Sequence, residues 1–373
     1  MKILIAPDKF KGSLLAMEVC NAVEEGILKF LPQSQITKIP LADGGEGSLS
    51  VLENTIKFNR IYLDVNDPLF RTIKVFYGLL NNTAYIEMAS ASGLQLLNRD
   101  ELNPMQTTSF GTGEMILDAI QNGATKILLF IGGSATNDCG IGIAAALGYK
   151  FYDEFNSELK PIGENLNKIK SIDKNLDVSF DDIDISVLTD VNNVLYGENG
   201  AAHIYAKQKG ANEKEIEELD NGLKNIARII ESTLKVDVSK IPGSGAAGGV
   251  GAGAVAFCNA NIKSGIDEIM RLLDLENLIN KSDLVITGEG KLDKQTLEGK
   301  VVKGVINLCK KFNKPLGIVC GDVDLSEKEL KQLFPSIIKP IKVNGITTED
   351  AVKTAKYYLT KRANELISDY SKY

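Results

Sequence analysis

The chain has 373 residues, with 42 Lys+Arg against 49 Asp+Glu and a formal net charge of −7. That length suits two or three domains, and an acidic balance without a basic arm excludes nucleic acid and an anionic membrane surface as main partners. With 44% apolar and 24% charged residues the composition is that of a globular protein with a real core. The 34 glycines gather in short motifs, which excludes collagen-like and low-complexity classes.

Five cysteines stand apart (Cys20, Cys139, Cys258, Cys309, Cys320), with no CxxC pair. A disulfide framework or structural zinc site is not expected. The one histidine, His203, sits in Ala-Ala-His-Ile-Tyr and reads as structural. The N-terminus lacks a signal-peptide pattern, and no run of about 18 apolar residues occurs, so a cytoplasmic location is expected.

In chain order, residues 2–6 form a continuous apolar run, the mark of a strand covered on both faces. From Ser13 to Leu31, Val19, Ala22, Val23, Ile27 and Phe30 recur at helical spacing, and Pro32 stops the helix. A second strand, Ile36 to Leu41, leads into Asp43-Gly44-Gly45-Glu46-Gly47. Short alternating strands follow at 61–65, 73–76 and 84–88, then a buried strand at 127–131. The first pattern returns with strands at 284–287, 316–320 and 337–343. Between them lie a helix bearing Val301, Val305 and Cys309 and a Ser326–Glu329 capping box. A final helix buries Val352, Ala355, Leu359, Ala363 and Leu366.

Strands alternating with helices imply an α/β fold: a flavodoxin-like, doubly wound parallel sheet of five strands in the order 2-1-3-4-5. A second α/β domain is inserted between strands 2 and 3. The expected domains are 1–58 plus 283–373, and 59–282, with the active site in the interdomain cleft.

In such sheets ligands bind at the carboxyl ends of strands. Polar motifs stand there: Pro7-Asp8-Lys9, Asp43 to Gly47, Gly288-Glu289-Gly290-Lys291-Leu292-Asp293 and Gly321-Asp322. In the middle section, Gly132-Gly133-Ser134-Ala135-Thr136-Asn137-Asp138 joins a buried strand to a small-residue helix, an arrangement that presents N–H groups to an anion. Asp190, Asn192 and Asn193 follow another apolar run. The stretch from Gly243 to Gly249 matches the dinucleotide fingerprint, but Pro242 precedes it where a strand is required. Neither a P-loop nor protein-kinase signatures occur. Gly-rich anion loops, lysines, hydroxyls and several carboxylates suit phosphoryl transfer to a small polar acceptor.

Taken together, APDKFKGSL at 6–14, PLADGGEG at 40–47, IEMASASGL at 86–94, TTSFGTGE at 107–114 and IGGSATND at 131–138 resemble the bacterial glycerate kinase type-1 family, the glycerate 2-kinases. LTDVNN at 188–193, YGENGAA at 196–202, QKGA at 208–211, GSGAAGG at 243–249 and ITGEGKLDKQT at 286–296 extend the likeness over nearly the whole chain. The resemblance implies ATP- and Mg²⁺-dependent phosphorylation of D-glycerate to 2-phosphoglycerate, by a monomer or homodimer acting on small molecules alone. Within it, chemistry and motif position place glycerate on Lys9, Ser13, Asp43, Glu46 and Lys291. Catalysis falls to Asp190 as general base, Asp43 as second choice, and Lys9. ATP phosphates fall to Ser134, Asn137, Asp138, Gly245, Gly248 and Gly249, and Mg²⁺ to Asp190, Glu289 and Asp293. Cys139, Val194, Lys207 and Lys291 depart from the family pattern; Lys in place of Arg at 291 loses a bidentate fork. A kinase for a related hydroxy acid and a non-catalytic sensor are the competing readings, and the intact carboxylates argue against the sensor.

Overall fold

The structure, a computed structural model, describes residues 1–174, 180, 182–297, 301–333, 336–343 and 347–372. The chain divides into two compact units. The first comprises 1–43, 50–56 and 266–373, the second 44–49 and 57–265. The third segment of the first unit begins at 266, where the sequence reading has its last segment begin at 283.

In the first unit, strands Gln35–Lys38, Lys2–Ile5, Leu284–Leu292, Leu316–Val323 and Ser336–Pro340 form a sheet in that order, parallel throughout. This is the order read from the sequence. Ile3, Ile5, Leu284, Ile286 and Val319 pack in one core with residues of helices Ala16–Leu28 and Ala355–Tyr370. The alternate positions Leu4, Val285 and Ile318 are equally buried, as a sheet covered on both faces requires. Gly26 lets the two helices touch, because a Cβ there would collide with the Thr360 carbonyl and Ala363. Phe30 and Val352, expected on buried faces, are 42% and 44% exposed. Helix Ala16–Leu28 ends before Phe30, and Val352 lies on a separate short helix, Thr348–Lys353. Ser326 and Glu329 form the expected capping box.

The second unit holds a mixed six-stranded sheet. Asn59–Asn66, Thr72–Leu80 and Thr83–Glu87 pair antiparallel. Lys126–Phe130, Asp184–Leu188 and Asn261–Lys263 continue it in parallel. Its core draws on helices Phe110–Gln121, Glu213–Leu234 and Ala246–Cys258. Among the described residues no helix is long and apolar enough to cross a membrane.

Candidate active site

In the first unit the polar motifs gather at the carboxyl edge of the parallel sheet. Past Ile5 the chain stays extended: the Ala6 N–H donates to Ile286 and the Asp8 N–H to the Gly288 carbonyl, both at 2.8 Å. Asp8 therefore stands beside Gly288 and Glu289 of strand Leu284–Leu292. Burial pushes its carboxyl up to about 7; Asp43 and Glu289 add to the rise, while the Lys9 N–H and ammonium oppose it. The Lys9 N–H donates to Asp8 Oδ1 at 2.6 Å. The sequence reading names Asp8 in its strand-end motif but gives it no role. The available signal was its place directly after a strand buried on both faces.

Glu289 is buried and accepts the Thr296 hydroxyl at 2.6 Å; the same hydroxyl oxygen accepts the Asp293 N–H at 3.0 Å. Thr296 thereby ties together two of the three expected metal ligands. The third, Asp190, belongs to the second unit, where its Oδ1 accepts the Ser264 hydroxyl at 3.0 Å. Among the described residues no three or more His, Cys, Asp or Glu side chains come together as a ready metal site. Hard carboxylate oxygens nevertheless suit Mg²⁺, which keeps waters and uses only one or two protein carboxylates beside substrate phosphates.

Two of the expected glycerate-binding groups are engaged elsewhere. Lys291 is exposed and paired with Asp324 at 2.6 Å. The Ser13 hydroxyl donates to the Val352 carbonyl at 3.2 Å. Lys9 and Asp43 are half-buried at the carboxyl edge.

The carboxyl edge of the second unit is built from three loops. In the first, Gly44 and Gly47 take left-handed backbone, with φ of 80° and 92°. The Glu87 carboxylate holds this loop by accepting the N–H groups of Gly47 and Leu49 at 3.0 and 3.1 Å. Gly45 lies against Gly132, and the exposed Glu46 against Gly133. The third loop, Thr189–Asp190, leaves strand Asp184–Leu188 close to Ser264.

The middle loop, 131–140, is where the remaining motifs meet. Gly93 and Ser134 form a β-bridge. The Thr107 hydroxyl donates to the Ala135 carbonyl at 3.0 Å. The Cys139 N–H reaches the Gly248 carbonyl at 3.0 Å. Lys209, from the QKGA motif, donates to the Ser134 hydroxyl at 2.9 Å and the Thr136 carbonyl at 2.6 Å. Lys209 is the second residue the sequence reading leaves out; a lysine inside a motif says nothing of burial.

Most of the residues expected to hold phosphate are packed inside the unit. Asp138 is fully buried and accepts the Ser109 N–H and hydroxyl at 2.8 and 2.7 Å, with the N–H groups of Gly140 and Gly142 at 3.1 and 3.3 Å. The donors expected to face an anion are thus occupied by this carboxylate. Burial raises the pKa of Asp138 against these hydrogen bonds. Asn137 is equally buried. Gly245, Gly248 and Gly249 are close-approach glycines inside the unit; a Cβ on Gly248 would be driven into the Thr136 carbonyl. Of the three polar residues among the six, only Ser134 keeps some surface, 6%, beside the exposed Gly133.

The Glycerate kinase family model matches residues 3–371. A protein named Glycerate 2-kinase from Escherichia coli (strain K12) is 45% identical over 326 residues, covering 87% of this chain and 86% of that protein. A Glycerate kinase from Bacillus cereus is 39% identical over 369 residues, covering 98% and 97%. The crystal structure of a putative glycerate kinase 2 from Salmonella typhimurium LT2 superposes with a TM-score of 0.85 at 38% identity, over 100% of this chain and 98% of that one. With a match along nearly its whole length and relatives this similar, the chain belongs to the glycerate kinase family of enzymes.

Proposed function

We propose that this protein transfers the γ-phosphoryl group of ATP to the 2-hydroxyl of D-glycerate, with Mg²⁺, giving 2-phosphoglycerate and ADP. The observation that carries this reading is the 45% identity, over 87% of the chain, to a protein named Glycerate 2-kinase. The chemistry present agrees. Phosphoryl transfer asks for positioning, charge stabilisation and a group to take the acceptor proton. As the hydroxyl oxygen bonds to the γ-phosphorus and the bond to the ADP oxygen breaks, one carboxylate receives the hydroxyl proton.

Two carboxylates compete for that role. Asp190 is the base expected from its motif. Asp8 is favoured by its environment, because a carboxyl held at about 7 is poised to exchange a proton near neutrality. Glycerate would be anchored from Lys9 and Asp43. Phosphate oxygens would meet Ser134 and the backbone of Gly132–Gly133 and Gly44–Gly47. Glu289 and Asp293, joined through Thr296, would supply oxygens for Mg²⁺, which when bound would neutralise phosphate charge.

Phosphorus NMR of the protein with MgATP and D-glycerate tests the reading. A 2-phosphoglycerate signal supports it. A 3-phosphoglycerate signal overturns the position of attack. No phosphoglycerate from a folded, ATP-binding protein overturns the substrate and favours another hydroxy acid or a sensor.

A further inference from the structure

Lys209 is only 3% exposed, on the single turn Lys207–Lys209. Its two hydrogen bonds both go to the 131–140 loop, and both acceptors are neutral: the Ser134 hydroxyl and the Thr136 carbonyl. The carboxylate whose field it feels, Asp138, spends its hydrogen bonds on Ser109, Gly140 and Gly142. An ammonium carries three protons, and a buried cation without a bonded counter-charge is expensive. Burial accordingly draws the Lys209 pKa down to about 7, against the pull of Asp138.

A second observation points to the same place. Among the described residues, the Thr136 hydroxyl and both polar atoms of the Asn137 amide are buried with no hydrogen-bond partner. A loop tied down from four sides still has polar groups its own protein does not satisfy, and buried polar groups of that kind call for an explanation. A cavity-filling hydrophobe at 209 would cost less than a lysine. The cation is therefore explained by what the loop does rather than by stability.

We propose that Lys209 is the positioning residue of the phosphate loop: it fixes the Ser134 hydroxyl and the adjoining Gly132–Gly133 backbone for the phosphate oxygens of the nucleotide, and its charge is matched when that anion arrives. Lys209 acts through Ser134 and is not placed in contact with the reacting atoms. The inference rests on the reading that ATP is the phosphoryl donor.

Calorimetric MgATP binding, with steady-state kinetics, tests it on Lys209→Met, Lys209→Arg and Ser134→Ala. Losing a charge-assisted link of this kind should weaken MgATP binding and raise the ATP KM by about tenfold to a hundredfold in Lys209→Met. The D-glycerate KM should stay within about twofold, since the link acts on the nucleotide side alone. Lys209→Arg should recover part of the loss by keeping the charge. Ser134→Ala, a smaller change that breaks the same link, should shift the ATP KM in the same direction, and adding it to Lys209→Met should cost little more. Unchanged MgATP affinity in both Lys209→Met and Ser134→Ala overturns the inference. So does a loss in which both KM values rise together with a fall in melting temperature, the mark of a purely structural lysine. If Lys209→Met does not fold, Ser134→Ala decides alone. A wild-type protein that binds MgATP but spares D-glycerate overturns the proposed substrate and leaves the calorimetric comparison intact. A wild-type protein that binds no MgATP overturns both.

Discussion

The Asp138 carboxylate accepts the backbone N–H and the hydroxyl of Ser109 with a single oxygen, at 2.8 and 2.7 Å, joining segments 29 residues apart. The residue that looks most like a phosphate or metal ligand in the Gly-rich loop is thus the keystone of that loop.

Replacing Asp138 by Ala should therefore act on folding. It strands buried donors on Ser109, Gly140 and Gly142, and each stranded donor costs about 1–3 kcal/mol. Urea denaturation should show a loss of about 3 kcal/mol or more. A variant of native stability that has lost only ATP binding would return Asp138 to the ligand role.

Asp8→Asn separates the two candidate bases. If Asp8 is the base, the wild-type kcat/KM climbs with pH and levels off above about 7, and Asp8→Asn lowers kcat by about a hundredfold or more. Asp190→Asn would then keep the pH limb. The opposite pattern assigns the proton to Asp190.

The same group makes a stability prediction. Because its folded pKa is raised above the ordinary carboxylate range to about 7, the folded state holds the proton more tightly than the unfolded chain. Its contribution is fully present below the unfolded value and is lost as pH rises through the folded one. Asp8→Asn should therefore melt higher than wild type at pH 8, with the gain fading toward pH 4, as differential scanning calorimetry would read. An equal shift at both pH values would contradict the raised pKa.

Two glycines should behave differently despite similar backbone. Gly47 and Gly248 have φ of 92° and 70°. A Cβ on Gly47 meets nothing within 4 Å, whereas on Gly248 it strikes the Thr136 carbonyl. Gly47→Ala should cost about 1–2 kcal/mol of backbone strain. Gly248→Ala should cost clearly more and expose the core to proteolysis, which thermal melts and limited trypsin digestion would reveal.

The cysteines should be silent. All five are buried, and burial pushes the thiols of Cys20, Cys258 and Cys309 up to about 12. Iodoacetamide should leave the native protein unlabelled until it is denatured, because only an accessible thiolate reacts. Labelling of the native protein at any one cysteine would contradict that burial.

Much of the first unit was legible. Continuous apolar runs such as KILIA at 2–6 and LVIT at 284–287 identify strands covered on both faces without reference to their neighbours, and the crossover rules then leave few orders. The boundary at 266 was not legible, because helix Gly265–Leu272 carries an ordinary amphipathic pattern that fits either unit. The site was legible as motifs but not as roles. Asp138 and Asn137 look like ligands in a string of letters, and Lys209 like one more charged residue.

The amino-acid sequence by itself determined the family, the parallel five-stranded sheet and the clustering of glycines and carboxylates at strand ends. Those features depend on local periodicity and on which residue types stand together. Only the tertiary structure decided which polar groups are spent inside the protein: Asp138 on Ser109, Lys291 on Asp324, Lys209 on Ser134. It also decided that Asp8 shares its surroundings with Asp43 and Glu289. The reason is that burial and the field of distant charges, unlike periodicity, arise only when segments far apart in the chain are brought into contact.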